Sequence, residues 1–190
     1  MSSAGSDSRD ERFLLDVMLG KLATYLRMCG YDAAYALDRG IEDDERLREI
    51  AAEEDRTLLT RDEQLADRTP DALLLTEQAV TDQLRELVDA GFDLSLADPP
   101  VRCGSCNGLL ERVAHTGRQS AGERVAHTGR QSAGERVAHT GRQSAGERVD
   151  DEPTPEHVPD DEMVFRCRDC GQWFWRGSHW DDVEQRLASL

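Results

Sequence analysis

Two Cys-x-x-Cys knuckles, Cys103-Gly-Ser-Cys106 and Cys167-Arg-Asp-Cys170, constrain the fold of this chain more than any other feature. Such a turn aims two thiolates at one centre, and two turns complete a tetrahedral Zn²⁺ site that folds the residues around it. Sixty residues separate the knuckles, and 36 of them are three copies of one twelve-residue unit, Glu-Arg-Val-Ala-His-Thr-Gly-Arg-Gln-Ser-Ala-Gly, at 111–122, 123–134 and 135–146. Without the copies the spacing is 24 residues, ordinary for a zinc ribbon. The pattern therefore predicts a structural zinc site at Cys103, Cys106, Cys167 and Cys170, with the repeat in the ribbon's loop. The alternative is a pair of thiol–disulfide centres. A redox Cys-x-x-Cys opens a helix after a strand in a thioredoxin-like setting, and neither pair stands in one. Cys29, left over, reads as a small packed hydrophobe at the end of an amphipathic segment.

Each copy of the repeat carries one valine and two alanines against two arginines, a glutamate and two glycines. That composition cannot bury a core, so 111–149 is expected to be a disordered insertion. His115, His127 and His139 recur every twelve residues, which is not a ligand spacing. The acidic, proline-containing stretch 150–162 reads as a loop, and residues 1–11 as a disordered polar tail without the features of a signal peptide.

From Arg12 to Asp98 apolar runs alternate with helical patterns. Phe13-Leu14-Leu15, Tyr31 to Ala36, Thr57 to Thr60 and Leu73-Leu74-Leu75 read as strands. Leu19, Leu22, Ala23 and Leu26 share one helix face; Leu47, Ile50 and Ala51 mark a second helix, opened by Glu42-Asp43-Asp44; Val80, Leu84, Leu87 and Val88 mark a third, closed near Gly91. Alternation of this kind implies an α/β fold with a mainly parallel sheet. Asp98-Pro99-Pro100 separates it from the cysteine block at 99–190.

Lys and Arg number 23 against 39 Asp and Glu, a net charge of −16, and Lys21 is the only lysine. That balance excludes a generic basic nucleic-acid sleeve, though not an enzyme that meets phosphate through metal ions. Acidic excess with almost no lysine also resembles adaptation to a cytoplasm of molar salt, where a Debye length of about 3 Å removes most self-repulsion. No apolar run approaches the roughly 18 residues a membrane helix needs, so a cytoplasmic protein is expected, its thiols reduced unless they hold metal.

Within so acidic a chain, Asp16 and Asp62 stand out because each follows an apolar strand directly. In open parallel sheets the carboxyl ends of the strands border the ligand crevice. Asp43, Asp44 and Glu45 open the helix between them and can add a third acid to that edge. Clustered carboxylates repel unless a cation sits among them, and Mg²⁺ or Mn²⁺ suits oxygen donors. The plain alternative is that these are helix caps and strand-end turns. Lys21, five residues after Asp16, and Arg61, beside Asp62, are candidate phosphate contacts, although a lone retained lysine also arises by chance. Near the C-terminus Trp173, Phe174, Trp175 and Trp180 lie among Arg166, Arg168 and Arg176. They offer either stacking faces for unpaired bases or bulky side chains for a small ribbon's core. His179 can support the zinc site, contact nucleic acid or pack on tryptophan.

The order of these motifs resembles one family. Phe-Leu-Leu-Asp16-x-Met-Leu-Gly-Lys21-Leu-Ala-x-x-Leu-Arg27-x-x-Gly30-Tyr-Asp is similar to the opening of the Mut7-C RNAse domain family, and so are Asp43-Asp44-Glu45 before Leu47 and Leu-Leu-Thr60-Arg61-Asp62. Arg102-Cys-x-x-Cys-Asn107-Gly, Phe165-x-Cys-x-x-Cys-Gly171 and Trp175-x-Gly-Ser-His179-Trp resemble its zinc ribbon. The resemblance implies a PIN-like, three-layer nuclease domain at 12–98 and a zinc ribbon at 99–190. It makes Asp16, Asp44 and Asp62 the metal-binding catalytic acids, with Asp43 or Glu45 in place of Asp44 if the register of the acidic run shifts. It implies a metal-dependent ribonuclease acting on RNA, with Lys21, Arg61 and Arg27 as phosphate contacts and Trp175, Arg176 and His179 as nucleic-acid contacts. The rival reading is a non-catalytic zinc-ribbon adaptor that binds nucleic acid or protein.

Overall fold

The computed structural model describes residues 10–113 and 163–190. The N-terminal tail, most of the repeat and the acidic stretch lie outside the described residues. Four strands, β1 (Arg12–Leu15), β2 (Asp32–Tyr35), β3 (Thr57–Thr60) and β4 (Ala72–Leu74), form one parallel sheet in the order β2-β1-β3-β4. Between and after them run α1 (Gly20–Met28), α2 (Asp44–Glu53), α3 (Glu63–Asp67) and α4 (Val80–Asp89).

Strand residues alternate between two apolar clusters. Phe13, Leu15, Ala33 and Leu59 pack with Leu22 and Leu26 of α1 and Leu84 and Leu87 of α4. Leu14, Ala34 and Leu58 pack with Leu47, Ile50 and Ala51 of α2 and Leu65 of α3. The period of two along each strand is what serves both clusters at once, and it accounts for the continuous apolar runs expected of parallel strands.

The second sheet is antiparallel, in the order β5 (Leu110–Val113), β6 (Val164–Cys167), β7 (Trp173–Phe174), and is followed by α5 (Ser178–Leu187). Glu111, Arg112 and Val113 of the first repeat copy pair with Arg166, Phe165 and Val164. The insertion therefore does not start at 111, because the first three repeat residues continue a strand. Leu187 and Leu190 return to pack against the first apolar cluster. No helix among the described residues is long and apolar enough to cross a membrane.

Candidate functional site

β1 and β3 are neighbours, so Asp16 and Asp62 emerge at adjacent strand ends. The Asp16 N–H donates to the Leu59 carbonyl at 3.0 Å, holding the turn to β3. Asp16 is buried. Its Oδ1 accepts from Val17 N at 2.5 Å and its Oδ2 accepts from the Thr60 hydroxyl at 2.8 Å. Thr60 Oγ1 in turn accepts from Asp62 N at 3.0 Å. One buried hydroxyl thus ties both acid-bearing turns together. Asp62 Oδ1 caps α3 by accepting from Gln64 N at 2.7 Å and Leu65 N at 3.0 Å. Tyr35, at the end of β2, donates its hydroxyl to the Val17 carbonyl at 2.6 Å. Burial, with Asp38 and Asp16 nearby, pushes its phenol up, so it stays a donor.

In the acidic run the three side chains part company. Asp43 is the N-cap of α2 and accepts from Arg46 N at 2.9 Å. Glu45 pairs with Arg48 at 2.7 Å, one turn on. Asp44, about half exposed, has only Arg68 at 3.6 Å among the described residues. Asp44 is thus the least committed of the three. The acids do not close into one shared cluster with Asp16 and Asp62. Among the described residues the four cysteines are the one group of three or more ligating side chains that converges. Lys21 is exposed in the first turn of α1, and Arg61 follows β3 with its Nε buried and without a hydrogen-bond partner. Neither meets a carboxylate among the described residues, whereas Arg27, Arg39, Arg56 and Arg68 all do.

Arg27 has a different occupation. Its buried guanidinium donates to the Ala33 carbonyl at 2.9 Å, the Gly104 and Ser105 carbonyls at 3.2 and 2.9 Å, and Asp38 at 2.9 Å. It grips the backbone inside the first cysteine knuckle. Asn107 adds a second grip: its Oδ1 accepts from Ala33 N at 3.0 Å and its Nδ2 donates to Asp32 at 2.7 Å. The ribbon thereby covers part of the open edge of β2, which otherwise presents bare backbone groups. Asp32 also meets Arg56 at 2.9 Å and Arg102 at 3.4 Å. Its partial burial opposes ionisation, but hydrogen bonds from Arg56 and Asn107 prevail and lower its pKa to about 2.

The knuckles repeat one another. Asn107 N donates to Cys103 O and Gly171 N to Cys167 O, at 2.9 and 3.1 Å. Asn107 and Gly171 both take the left-handed conformation, with φ of 68° and 73°, which asparagine and glycine tolerate best. At Gly108 any Cβ would fall 2.5 Å from an Asp169 carboxylate oxygen and 2.8 Å from Cys167 Sγ. The four sulfurs lie within 4.8 Å of one another, with Cys103–Cys170 at 3.7 Å and Cys106–Cys167 at 3.5 Å. A tetrahedron of Zn–S bonds near 2.3 Å has edges of about 3.8 Å, so the set fits zinc. Burial pushes the Cys103 and Cys106 thiols up. At Cys167 burial has the same tendency, but backbone N–H groups of Cys170 and Asp169 outweigh it and the thiol is drawn down. Such a packed set ionises fully only around a cation.

Trp175 and Trp180 are half-buried, His179 is exposed, and all three line a groove of about 650 Å³ between α1 and the ribbon. Arg176 pairs with Asp98 at 2.7 Å and lies 5.8 Å from the Trp180 ring centre.

The described residues thus form an α/β block with acids at two neighbouring parallel strand ends, together with four cysteines that could hold a metal ion. The chain belongs to the Mut7-C RNAse domain family, whose model matches residues 11–140 and 131–187, two stretches that overlap inside the repeat. Neither the curated proteins nor the solved structures contain a match.

Proposed function

We propose that the chain is a metal-dependent ribonuclease with a PIN-like catalytic domain, working in the cytoplasm, and that Asp16 and Asp62 form the heart of its site. The observation that carries this is the Thr60 bridge. It fixes the Asp16 carboxylate and the Asp62 backbone at adjacent strand ends, and Lys21 and Arg61, near them in sequence, have no carboxylate partner among the described residues. The donor set is all oxygen, as Mg²⁺ and Mn²⁺ prefer. Asp16 and Asp62 would hold the ion, with Asp44 as third acid from the start of α2. When bound, the ion supplies Lewis acidity for phosphodiester hydrolysis. Lys21 and Arg61 hold the scissile phosphate, and the ribbon carries structural zinc and positions the strand.

The adaptor reading draws on a specific observation too: Asp16, Asp43 and Asp62 all serve as turn or helix caps. Turnover separates the two. The zinc-loaded protein is expected to cleave single-stranded RNA at high KCl with added Mg²⁺ or Mn²⁺. RNA binding without cleavage in either metal would favour the adaptor.

A further inference from the structure

We propose that the groove between α1 and the ribbon is a stacking site for unpaired nucleobases, which restricts the substrate to single-stranded RNA. This rests on the ribonuclease reading and names the substrate form. Trp173, Trp175 and Trp180 line the groove together with Phe174 and Tyr35, and the chain has only these three tryptophans. Were they core, they would be buried. Among the described residues of 99–190 the buried side chains are instead Pro100, Cys103, Val164, Phe165, Cys167 and Val183, and no tryptophan is among them. The ribbon thus closes its core without its largest rings and leaves them half-open along the groove. Arg166 and Arg176 lie 5.4 and 5.8 Å from the Trp173 and Trp180 ring centres, a way of holding an aromatic face in place.

The exposed ring faces and the path toward the acid edge favour RNA over a protein segment. The groove shares Arg27, Tyr35, Asp38 and Arg102 with an adjoining cavity of about 400 Å³. Together the two are lined by five arginines, adding Arg39, Arg56 and Arg168, against three aspartates. Each of the five is ion-paired, to Asp38, Glu54, Asp32 or Glu111, so the lining is near charge balance in a chain of net charge −16. The groove also leads to the acids. A Cβ at Gly20 would lie 3.0 Å from the Tyr35 ring, so that ring packs on the start of α1, and its hydroxyl reaches the residue after Asp16. A base seated against Tyr35 places its phosphate toward the Asp16 edge. In concentrated salt, phosphate contacts are screened while stacking persists, so rings are the more durable handle.

Because all three tryptophans line the groove, their fluorescence reports its occupancy directly. The zinc-loaded full chain carrying Asp62→Asn is titrated, without added Mg²⁺ or Mn²⁺, with a short oligoadenylate and with a blunt RNA duplex of equal length. The oligoadenylate is expected to quench saturably and the duplex not. Trp180→Leu should weaken binding about tenfold. Thr24→Glu should do the same from the opposite wall on α1, with zinc content and melting unchanged, which covers the case where Trp180→Leu fails to fold. Equal quenching by the duplex, or indifference to both substitutions in folded protein, overturns the proposal. Indifference to oligoadenylate does so too, and assigns the groove to a protein partner. Binding here needs no turnover. Intact binding with no cleavage by the wild-type chain would sink the catalytic reading alone, and intact cleavage without binding would sink the groove alone.

Discussion

The parallel sheet buries side chains on both faces, from Phe13, Leu15 and Leu59 on one to Leu14 and Leu58 on the other. The described part of the ribbon buries six, and two of those are thiols of the four-cysteine cluster. The two regions also hold their candidate ligands differently. The knuckle backbone brings four sulfurs within 4.8 Å of one another, whereas Asp16 and Asp62 are linked through a threonine hydroxyl. Under the proposed function, the difference matches two uses of metal. A structural site is closed and replaces a missing core; a catalytic site keeps its donors apart enough to admit substrate and water.

The largest effect is expected from removing the zinc proposed for the ribbon. Cys167→Ser, or a strong chelator, should abolish bound zinc and unfold the ribbon while the α/β block keeps its helical circular dichroism. The loss is large because zinc binding supplies about 10 kcal/mol or more to small metal-folded units. Since the three tryptophans belong to the ribbon, their emission should shift to the red. A ribbon that keeps its emission without zinc would show that apolar packing suffices there.

A smaller effect concerns the seam. Asp32→Asn leaves Arg56 and Arg102 facing a neutral partner and should cost about 2 kcal/mol in denaturant unfolding, from a pKa lowered to about 2. The lowered value means that the wild-type contribution is complete above about pH 4 and fades as pH falls toward 2. The variant's stability should lack that acid-dependent part. Identical pH profiles would deny Asp32 its role in joining the two regions.

The smallest effect is expected from deleting 111–146. Leu110 then joins Glu147-Arg148-Val149, which restores the Leu-Glu-Arg-Val sequence of β5. Zinc content should stay the same and melting should move by no more than about 2 °C, less than 1 kcal/mol in a chain this size. A large loss of either would make the repeat part of the fold.

Much of the α/β block was legible because strand and helix periods are written in single side chains: Leu14 and Leu15 already declare opposite faces. Asp16 and Asp62 were legible as strand-end acids. Their tie through Thr60 was not, because it needs two parallel strands in register. α3 has one buried anchor, Leu65, too few for a period to show. Asp43 resolves as a cap only through its bond to Arg46 N. The grip of Arg27 on Gly104 and Ser105 joins positions 77 and 78 residues apart. No local pattern foretells such a contact, so a residue expected at phosphate proves to be holding the ribbon. The strand formed by the first repeat copy was hidden for a related reason. The copies are identical, so nothing in Glu111-Arg112-Val113 itself marks it as the partner of β6.

Catalysis at the Asp16–Asp62 edge can be probed by a single substitution. Asparagine caps helices as well as aspartate does, so Asp62→Asn should keep α3, the zinc and the melting temperature while removing one ligand charge. The wild-type chain is expected to cleave single-stranded RNA in Mg²⁺ or Mn²⁺, and the variant to lose about a hundredfold or more of that activity. Full activity in a folded, zinc-loaded Asp62→Asn protein would contradict catalysis at this edge.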